Sequence, residues 1–475
     1  MEKRKLIVIG AGPGGYAAAF LAADLGIDTT LIDNEPNPGG VCLYRGCIPS
    51  KALLHSAKII TESQHAKELG IEFQKPVINL SKLQKWKENV VNKLTSGLGQ
   101  LSKQRKIEYI RGNATFINSN EVEIIKENNE KKKLSFEYAI IATGSIPTVV
   151  PNLFIKSDRL LDSTSALNIP DIPKTMLVIG GGYIGLELGT VYAALGTEIT
   201  VVEMMPSLLS GADADLVNIL LKNVKLVFKD IITDTKVTGL NELKNGISVS
   251  FENKDGEKSE KIFEKVLMSI GRKPNSKNTG LENTKVEIDE KGFIKVDNQQ
   301  RTADKNIFAI GDVAGEPMLA HKASHEGRTA AEVIAGHKVT FEPKAIPAVV
   351  FTDPEIAWCG LTESEAKKNN LDVTVAKFPW AASGRALTLN NTNGLTKLII
   401  DTKTQRILGM GIAGQGAGDL ISEGVLAIEM GANATDIKLT VHPHPTLSET
   451  IMESAEVFFG QSTHIYKPKL KGKSL

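Results

Sequence analysis

Short apolar runs that end at glycines recur along the chain, and the first of them opens a regular succession of elements. The run at residues 5–9 predicts a buried strand, and the turn 10–15 (Gly-Ala-Gly-Pro-Gly-Gly) follows it. An alanine-rich stretch from residue 16 to about 25 predicts a helix. The apolar run 29–32, which predicts a second strand, ends at Asp33.

The same succession returns in the middle of the chain. A predicted strand at 176–179 leads into the turn 180–185 (Gly-Gly-Gly-Tyr-Ile-Gly), a helix to about residue 195, and a strand at 198–202 that ends at Glu203. In both units the acid follows the last glycine at the same distance, from 15 to 33 and from 185 to 203. The chain therefore contains a duplicated nucleotide-binding unit.

The segments around these units divide into helical and strand-like stretches. Residues 50–68 and 81–103 have helical periodicity, 108–136 indicates antiparallel strands, and 320–335 predicts a helix after the Gly-Asp pair at 311–312.

The C-terminal part changes character. It contains a capping box at 362–365, a predicted hairpin formed by 397–401 and 406–412, and a predicted helix at 417–430. The predicted fold class is α/β, with two Rossmann-like dinucleotide-binding domains followed by a C-terminal α+β domain. A chain of 475 residues is long enough for three or four compact domains.

Composition narrows the class of protein. A formal net charge of +1 predicts no nucleic-acid partner, and no apolar stretch reaches the roughly 18 residues of a membrane span. The first apolar run is interrupted by glycines too early for a secretory signal. Three cysteines in so long a chain predict a reducing compartment, which we take to be the cytoplasm.

Each glycine turn has the chemistry of a dinucleotide site. The first glycine permits a tight turn, the second lets the backbone approach a pyrophosphate at the helix N-terminus, and the third lets the helix pack on the strand. Asp33 and Glu203 are expected to accept hydrogen bonds from a ribose 2'-hydroxyl. Met204 and Met205 follow Glu203 and offer no cation for a 2'-phosphate, so the second site is expected to prefer NAD to NADP.

The two cysteines at 42 and 47 are candidates for chemistry. Residues five apart in a regular helix have Cα atoms about 8 to 9 Å apart, beyond the reach of a disulfide, so a bridge requires irregular backbone. Gly46 and Pro49 provide it before a helix predicted from residue 50. Inert buried thiols and half of a metal site are the alternatives; Cys359 lies in a separate strand-like run, and no metal is expected.

The chain resembles the flavin disulfide reductases, which are class I pyridine nucleotide-disulfide oxidoreductases, essentially from end to end. The motifs that carry the resemblance are Gly-Gly-x-Cys-Leu-x-x-Gly-Cys-Ile-Pro-Ser-Lys at 39–51, Ala-Thr-Gly-Ser at 142–145, Gly-Arg-Lys-Pro-Asn at 271–275, Gly-Asp at 311–312, Met-Leu-Ala-His-Lys at 318–322 and His-Pro-His-Pro-Thr-Leu-Ser-Glu at 442–449.

The resemblance implies which cofactor each unit binds. FAD would lie in the first unit, in contact with Gly10, Gly12, Gly14, Gly15, Asp33, Gly40, Lys51, Thr143, Gly144, Asp312 and Ala320. NAD would lie in the second, in contact with Gly180, Gly182, Ile184, Gly185, Glu187, Glu203 and Gly271. Asp312 would hold the ribityl chain, and Lys51 would pair with Glu187 beside the flavin ring. Cys47 would face the flavin, and Cys42 would exchange with an incoming dithiol.

A base is needed to generate thiolate near pH 7, and histidine suits that task. His444 is the candidate, with Glu449 accepting from its other ring nitrogen, and His442 is the competing base. Residues 446–449 also fit a capping box, which would use the same carboxylate. We further predict a cis peptide bond between His444 and Pro445.

Three residues depart from the pattern of the family. Tyr44 and Arg45 replace an asparagine and an apolar residue between the cysteines, and Pro443 replaces an alanine. We expect the first two to tune the redox pair. In the family the C-terminal domain places its histidine in the partner subunit's active site, which implies a homodimer.

Within the family, the resemblance favours the NAD-dependent members that oxidise protein-bound dihydrolipoamide. The lipoyl arm would come from another protein, an acyltransferase of a 2-oxo acid dehydrogenase complex or the glycine-cleavage H protein, since no lipoyl-like domain precedes residue 1. Another disulfide reductase, such as mercuric or glutathione reductase, and a non-catalytic flavoprotein subunit are the alternatives. The expected division is FAD-binding 1–149, NAD-binding 150–273, central 274–344 and interface 345–475.

Overall fold

The first glycine unit forms the centre of a six-stranded mixed sheet. A computed structural model describes residues 2–466. Its first elements are β1 (Glu2–Ile9), α1 (Pro13–Asp24), β2 (Thr29–Asp33), α2 (Gly40–Arg45), α3 (Cys47–His65), α4 (Leu80–Gln104), β3 (Glu108–Asn118), β4 (Glu121–Lys126), β5 (Lys131–Ile141) and β6 (Ser145–Pro147). β1 pairs in parallel with β2 and β5, and β2 with β3, whereas β4 pairs antiparallel with β3 and β5.

The second glycine unit forms a sheet of its own. Its elements are β7 (Leu160–Leu161), α5 (Ser163–Ala166), β8 (Thr175–Ile179), α6 (Tyr183–Leu195), β9 (Glu198–Val202), α7 (Ala214–Val227), β10 (Asp230–Ile232), β11 (Thr235–Leu243), β12 (Gly246–Asn253), β13 (Lys258–Phe263), β14 (Lys265–Met268) and β15 (Arg272–Pro274). The parallel order is β10-β9-β8-β14-β7, and β11 to β13 form a separate antiparallel sheet. β15 pairs with β6, so this short sheet connects the two units.

The chain then returns to the first sheet. β16 (Ile307–Ala309) pairs in parallel with β5, and α8 (Ala320–Ile334) packs on α1. A Cβ at Gly327 would lie 2.4 Å from the Gly14 carbonyl oxygen, so glycine at this position permits the helices to approach closely. Both strand faces of the sheet carry apolar clusters that include residues of this returning segment.

The C-terminal part is an antiparallel sheet covered by helices. It consists of β17 (Ala348–Val350), β18 (Ile356–Gly360), α9 (Glu363–Lys368), β19 (Val373–Pro379), α10 (Gly384–Thr388), β20 (Leu395–Asp401), β21 (Ile407–Ala413), α11 (Ala417–Glu429), α12 (Ala434–Leu439) and α13 (Glu449–Phe458). The strand order is β17-β18-β21-β20-β19. The predicted capping box at Thr362 and Glu365 and the predicted β20–β21 hairpin are confirmed.

The duplicated units and the α/β class predicted from the sequence are confirmed. Most predicted boundaries differ by only a few residues from the observed ones, because the apolar periods that define these elements are local. Within residues 2–466, no helix combines the length and the apolar character needed to cross a membrane.

A buried lysine joins the second unit to the C-terminal sheet. The Lys397 side chain is 1% exposed, and its Nζ lies 2.7 Å from Asp213, 2.7 Å from Asp215 and 3.2 Å from Glu363. These three carboxylates could in principle hold a cation. Lys397 already supplies that charge, and Lys377 pairs with Asp215 from the other side.

Removing this ammonium group should destabilise the protein. Lys397→Met keeps the volume of the side chain but leaves the buried Asp213 carboxylate without its cation, and breaking a buried pair in this way costs about 3–5 kcal/mol. We expect a clear fall in Tm at pH 7, measured by calorimetry. Lys403→Met, in the exposed turn between β20 and β21, is the matched control. A Tm equal to that of the control would contradict this account.

The difference between wild type and Lys397→Met should shrink in acid. Burial acts to raise the pKa of Asp213, but hydrogen bonds from Lys397 and the Glu363 backbone outweigh it and hold the pKa below its usual value. A carboxyl whose folded pKa is depressed contributes stability above its unfolded pKa and loses it as pH falls through the folded pKa.

Candidate active site

A cavity of about 400 Å³ lies between the first sheet, the two cysteine-bearing helices and α6. The first glycine turn and the cysteine pair both open into this cavity. Of the residues expected to contact FAD, it is lined by Gly10, Gly12, Gly14, Asp33, Gly40, Lys51, Thr143, Gly144, Asp312 and Ala320. Gly15 does not line it, because it packs inside the turn, where a Cβ would lie 1.8 Å from the Gly10 carbonyl oxygen.

The two acids that end the strands brace their own glycine turns. Asp33 accepts hydrogen bonds from the backbone N–H of Ala11 at 2.6 Å and of Glu35 at 2.9 Å. Glu203 accepts from Gly181 at 2.7 Å and from Met205 at 2.8 Å. Each carboxylate oxygen has a second lone pair, so a ribose hydroxyl can still donate to it.

The residues expected to contact NAD divide into two groups. Ile184 and Glu187 line the cavity that holds the cysteines, whereas Gly180, Gly182, Gly185, Glu203 and Gly271 lie outside its lining. Gly185 lies against the strand end, where a Cβ would be 2.4 Å from the Gly180 carbonyl oxygen. Its role in close packing of helix and strand therefore has a direct steric reason.

The cysteines lie on either side of a break between two helices. α2 ends at Arg45, Gly46 adopts φ −145° and ψ −117°, and α3 begins at Cys47. A Cβ at Gly46 would lie 2.8 Å from the Val41 carbonyl oxygen, so glycine lets the chain fold back towards Cys42. The sequence predicted that this helix begins at residue 50, one turn too late. Pro49 lies in the first turn of α3, where a proline does not interrupt a helix.

The cysteine thiols form an asymmetric pair. They are not bridged in this structure, and the two side chains are hydrogen-bonded to each other. The hydrogen bond from Cys42 lowers the pKa of Cys47 to about 7, against the effect of burial, and the charge of Lys51 contributes. The same hydrogen bond raises the pKa of Cys42. Cys47 is therefore the more acidic thiol of the pair.

A buried carboxylate positions the helix that carries Cys47. Glu187 is 3% exposed and accepts hydrogen bonds from Lys51 Nζ at 2.8 and 3.1 Å, from Ser50 Oγ at 2.9 Å and from the Phe351 N–H at 3.1 Å. Lys51 also lies 4.5 Å from the centre of the Phe351 ring. The sequence did not predict that Ser50 and the Phe351 N–H also donate to Glu187.

Asp312 belongs to a second network at the opposite side of the cavity. Its Oδ2 accepts from Ser145 Oγ at 2.5 Å, and Arg272 Nε donates to that hydroxyl at 2.7 Å. The Gly311 N–H donates to buried Glu326 at 2.7 Å, so the turn that carries Asp312 is held from both sides. The motifs at 142–145 and 271–275 contain two of these residues, but nothing in their spacing indicated the contact.

His444 and Glu449 form the predicted pair, and only half of the predicted capping box accompanies it. Glu449 Oε1 lies 2.9 Å from His444 Nδ1, while Oε2 accepts from the Thr446 N–H at 2.8 Å. The reciprocal hydrogen bond from the Glu449 N–H to Thr446 does not form, because the Thr446 hydroxyl donates to the Pro443 carbonyl and α13 has Ser448 as its N-cap, without a side-chain cap. α13 begins at Glu449 rather than near Pro445, and the predicted cis bond between His444 and Pro445 is confirmed.

Burial and hydrogen bonding distinguish the two histidines. The His444 side chain is 76% exposed, whereas that of His442 is 4% exposed and pairs with Glu423 at 2.8 Å. The hydrogen bond from His442 to Glu423 raises the pKa of His442. Only His444 presents a free ring edge to solvent, and within one chain it does not line the cavity of the cysteines.

Cys359 has the properties of a packing residue. It is 1% exposed, and burial raises its pKa to about 12. It lies in the C-terminal sheet, away from the other two cysteines.

Comparison with known proteins identifies the family. Residues 4–327 match the family described as pyridine nucleotide-disulphide oxidoreductase, and residues 346–455 match its dimerisation domain. The chain belongs to the pyridine nucleotide-disulphide oxidoreductase family.

Relatives and solved structures of this family match over nearly the whole chain. The protein from Vibrio cholerae called dihydrolipoyl dehydrogenase is 47% identical over 99% of this chain and 99% of its own length. That from Geobacillus stearothermophilus is 46% identical over 97% of each. The crystal structure of LpdA from Mycobacterium tuberculosis has a TM-score of 0.88 at 25% identity, covering 96% of this chain and 99% of that one.

The residues present fit the flavin of this oxidoreductase family. A glycine turn with a helix N-terminus for a pyrophosphate, Asp33 beside that turn and Asp312 on another side all open into one cavity. A Cβ at Gly40 would lie 2.5 Å from the Gly12 Cα, so paired glycines keep the space between turn and α2 narrow and free of side chains.

The cysteine asymmetry should be visible in the pH dependence of alkylation. In the reduced protein freed of flavin, iodoacetamide should modify Cys47 first, with a rate that rises through a pKa of about 7. Cys42→Ala removes the hydrogen bond that stabilises the thiolate, so the pKa of Cys47 should rise. Peptide mass spectrometry after timed labelling measures both. Cys359→Ala should leave the profile unchanged, and faster labelling of Cys42 would contradict the assignment.

Proposed function

We propose that this protein oxidises protein-bound dihydrolipoyl groups and reduces NAD+, with FAD held in the cavity described above. The observation that carries the proposal is the convergence of a glycine turn, the Cys42–Cys47 pair and Lys51 in one cavity. The many relatives at 45–48% identity called dihydrolipoyl dehydrogenase support it.

The two cysteines divide the thiol chemistry between them. In the oxidised pair, a substrate thiolate attacks the Cys42 sulfur, a mixed disulfide forms, and Cys47 leaves as thiolate. The second substrate thiolate then attacks the bound substrate sulfur, closes the cyclic disulfide and releases Cys42. The low pKa of Cys47 makes it the better leaving group. When bound, FAD supplies the two-electron chemistry between this thiolate and NAD+.

His444 takes the proton of the substrate thiol, and Glu449 orients it. Burial acts to raise the pKa of Glu449, but the Thr446 N–H and His444 outweigh it and hold the pKa below its ordinary value. The carboxylate therefore stays ionised, fixes the tautomer of the ring and stabilises the imidazolium.

The histidine serves the cavity of a second copy in a homodimer. Its ring is exposed and lies outside the cavity of its own chain. The C-terminal part also exposes large apolar side chains, with Met430 77%, Leu439 71% and Val441 93% exposed. Exposed apolar side chains of this size are typical of an interface, and the match to a dimerisation domain supports one here.

The second glycine unit takes NAD. Glu203 would repel a 2'-phosphate, and Met204 and Met205 offer it no positive charge. The four-part division at residues 149, 273 and 344 remains our proposal, with residues 467–475 of the interface part outside the described range. We propose a reducing compartment, the cytoplasm, and a lipoyl-bearing acyltransferase or H protein as partner.

A comparison of substrates tests this function directly. We expect turnover of dihydrolipoamide with NAD+, and at least 100-fold lower kcat/KM with NADP+, because a carboxylate faces the extra phosphate. Glutathione disulfide with NADPH should give background rates. Cys42→Ser should abolish turnover while flavin stays bound, and retained activity in this variant would reject the mechanism.

Complementation between subunits tests the shared site. Cys42→Ser and His444→Gln homodimers should each be nearly inactive, since a general base contributes about 10² to 10⁴ in rate. In a random mixture half of the dimers are mixed and carry one intact site, so about a quarter of wild-type activity should return. No recovery in verified mixed dimers would show that each histidine serves its own chain.

A further inference from the structure

Lys322 and Glu326 form a buried ion pair that the thiol chemistry does not use. They lie one turn apart in α8, with Nζ and Oε1 2.6 Å apart and side chains that are 7% and 5% exposed. A buried pair of charges is costly to desolvate and adds little net stability over apolar side chains of the same size. What this pair contacts therefore matters more than its contribution to stability.

The pair binds both ends of the turn that carries Asp312. The Gly311 N–H donates to Glu326 Oε2 at 2.7 Å, and Lys322 Nζ donates to the Gly315 carbonyl at 3.2 Å. Gly311 has a φ of +72°, a conformation that favours glycine, so no side chain of its own fixes the start of the turn. Two charged side chains of α8 hold the backbone of this turn instead.

The turn brings Asp312 to the cavity, whereas the ion pair lies behind it. Asp312 belongs to the residues that line the cavity, and Lys322 and Glu326 do not. Ser145 Oγ donates to Asp312 Oδ2 at 2.5 Å and holds the side chain, while the ion pair holds the backbone. The ion pair therefore acts on a ligand in this cavity through the turn that it binds.

Electrostatic repulsion gives the turn a reason to need this support. Burial raises the pKa of Glu326, the charge of Lys322 opposes the rise, and the charge of Asp312 adds to it. The two carboxylates are thus close enough to repel each other. The Lys322 ammonium offsets this repulsion, which favours the observed position of the turn over positions in which the carboxylates move apart.

We propose that Lys322 and Glu326 are positioning residues of the FAD site, which fix the turn 311–315 and thereby the Asp312 carboxylate that holds the ribityl chain. This role rests on the FAD site proposed above and on the contact of Asp312 with that chain. It assigns a task to two residues that lie outside the lining of the cavity.

A double-mutant cycle with Asp312 tests the proposal. Wild type, Glu326→Gln, Asp312→Asn and the double variant are freed of flavin as full-length chains and titrated with FAD, with binding followed by quenching of flavin fluorescence. Glu326→Gln keeps the shape of the side chain but leaves one amide oxygen for two donors, so FAD binding should weaken about tenfold. In the Asp312→Asn background the same change should weaken it less than about twofold, because the group that Glu326 positions is already altered.

Glu62→Gln is the matched control. Glu62 pairs with Lys58 at the same spacing of four residues on α3, but this pair is exposed and does not line the cavity. The control should bind FAD as wild type does. Circular dichroism of each flavin-free variant verifies that it is folded at the temperature of the titration. If Glu326→Gln is not, Lys322→Met, which removes the donor to the Gly315 carbonyl, takes its place in the cycle with the same expected pattern.

The outcomes separate the two levels of inference. If wild type fails to bind FAD, the proposed function fails. If wild type binds FAD and Glu326→Gln binds it equally tightly, only the positioning role is overturned. A loss of the same size in both backgrounds would also overturn it, because Glu326 would then support the fold independently of Asp312.

Discussion

Three donors from two distant segments converge on the buried carboxylate of Glu187. Ser50 and Lys51 reach it from the helix that carries Cys47, and the Phe351 N–H reaches it from the start of the C-terminal sheet. An unpaired charge at this depth would be very unfavourable, so the carboxylate requires all three elements to stay together. Glu187 therefore holds together the cysteine helix, the second dinucleotide unit and the C-terminal part.

The pairing of Glu187 with Lys51 also affects the two thiols. Lys51 is held by Glu187, and its charge helps to keep Cys47 ionised, while the break at Gly46 brings Cys42 close enough to donate to it. Two identical side chains thereby acquire different acidities, which suits the different roles that we propose for them. The asymmetry comes from position alone.

Polar groups in this protein commonly serve structure and chemistry at once. Asp33 and Glu203 accept hydrogen bonds from the backbone N–H groups of their turns and retain lone pairs that suit the ribose contact proposed for them. Glu449 accepts from the Thr446 N–H with one oxygen and pairs with His444 Nδ1 through the other. A carboxylate has enough acceptor sites for both tasks, which is why assigning a single role to each acid would be misleading.

The sequence by itself determined the duplicated units, their acids, the cysteine pair and the histidine motif, because each depends on residues near one another in the chain and on local periods. Only the tertiary structure decided that Ser50 and Phe351 meet Glu187, across 137 and 164 residues, and that Arg45 turns towards Glu35. It also decided where α3 and α13 begin. Contacts between distant segments arise from packing and from the pairing of buried charge. Neither produces a local pattern of hydrophobic and polar residues, so the sequence alone does not predict these contacts.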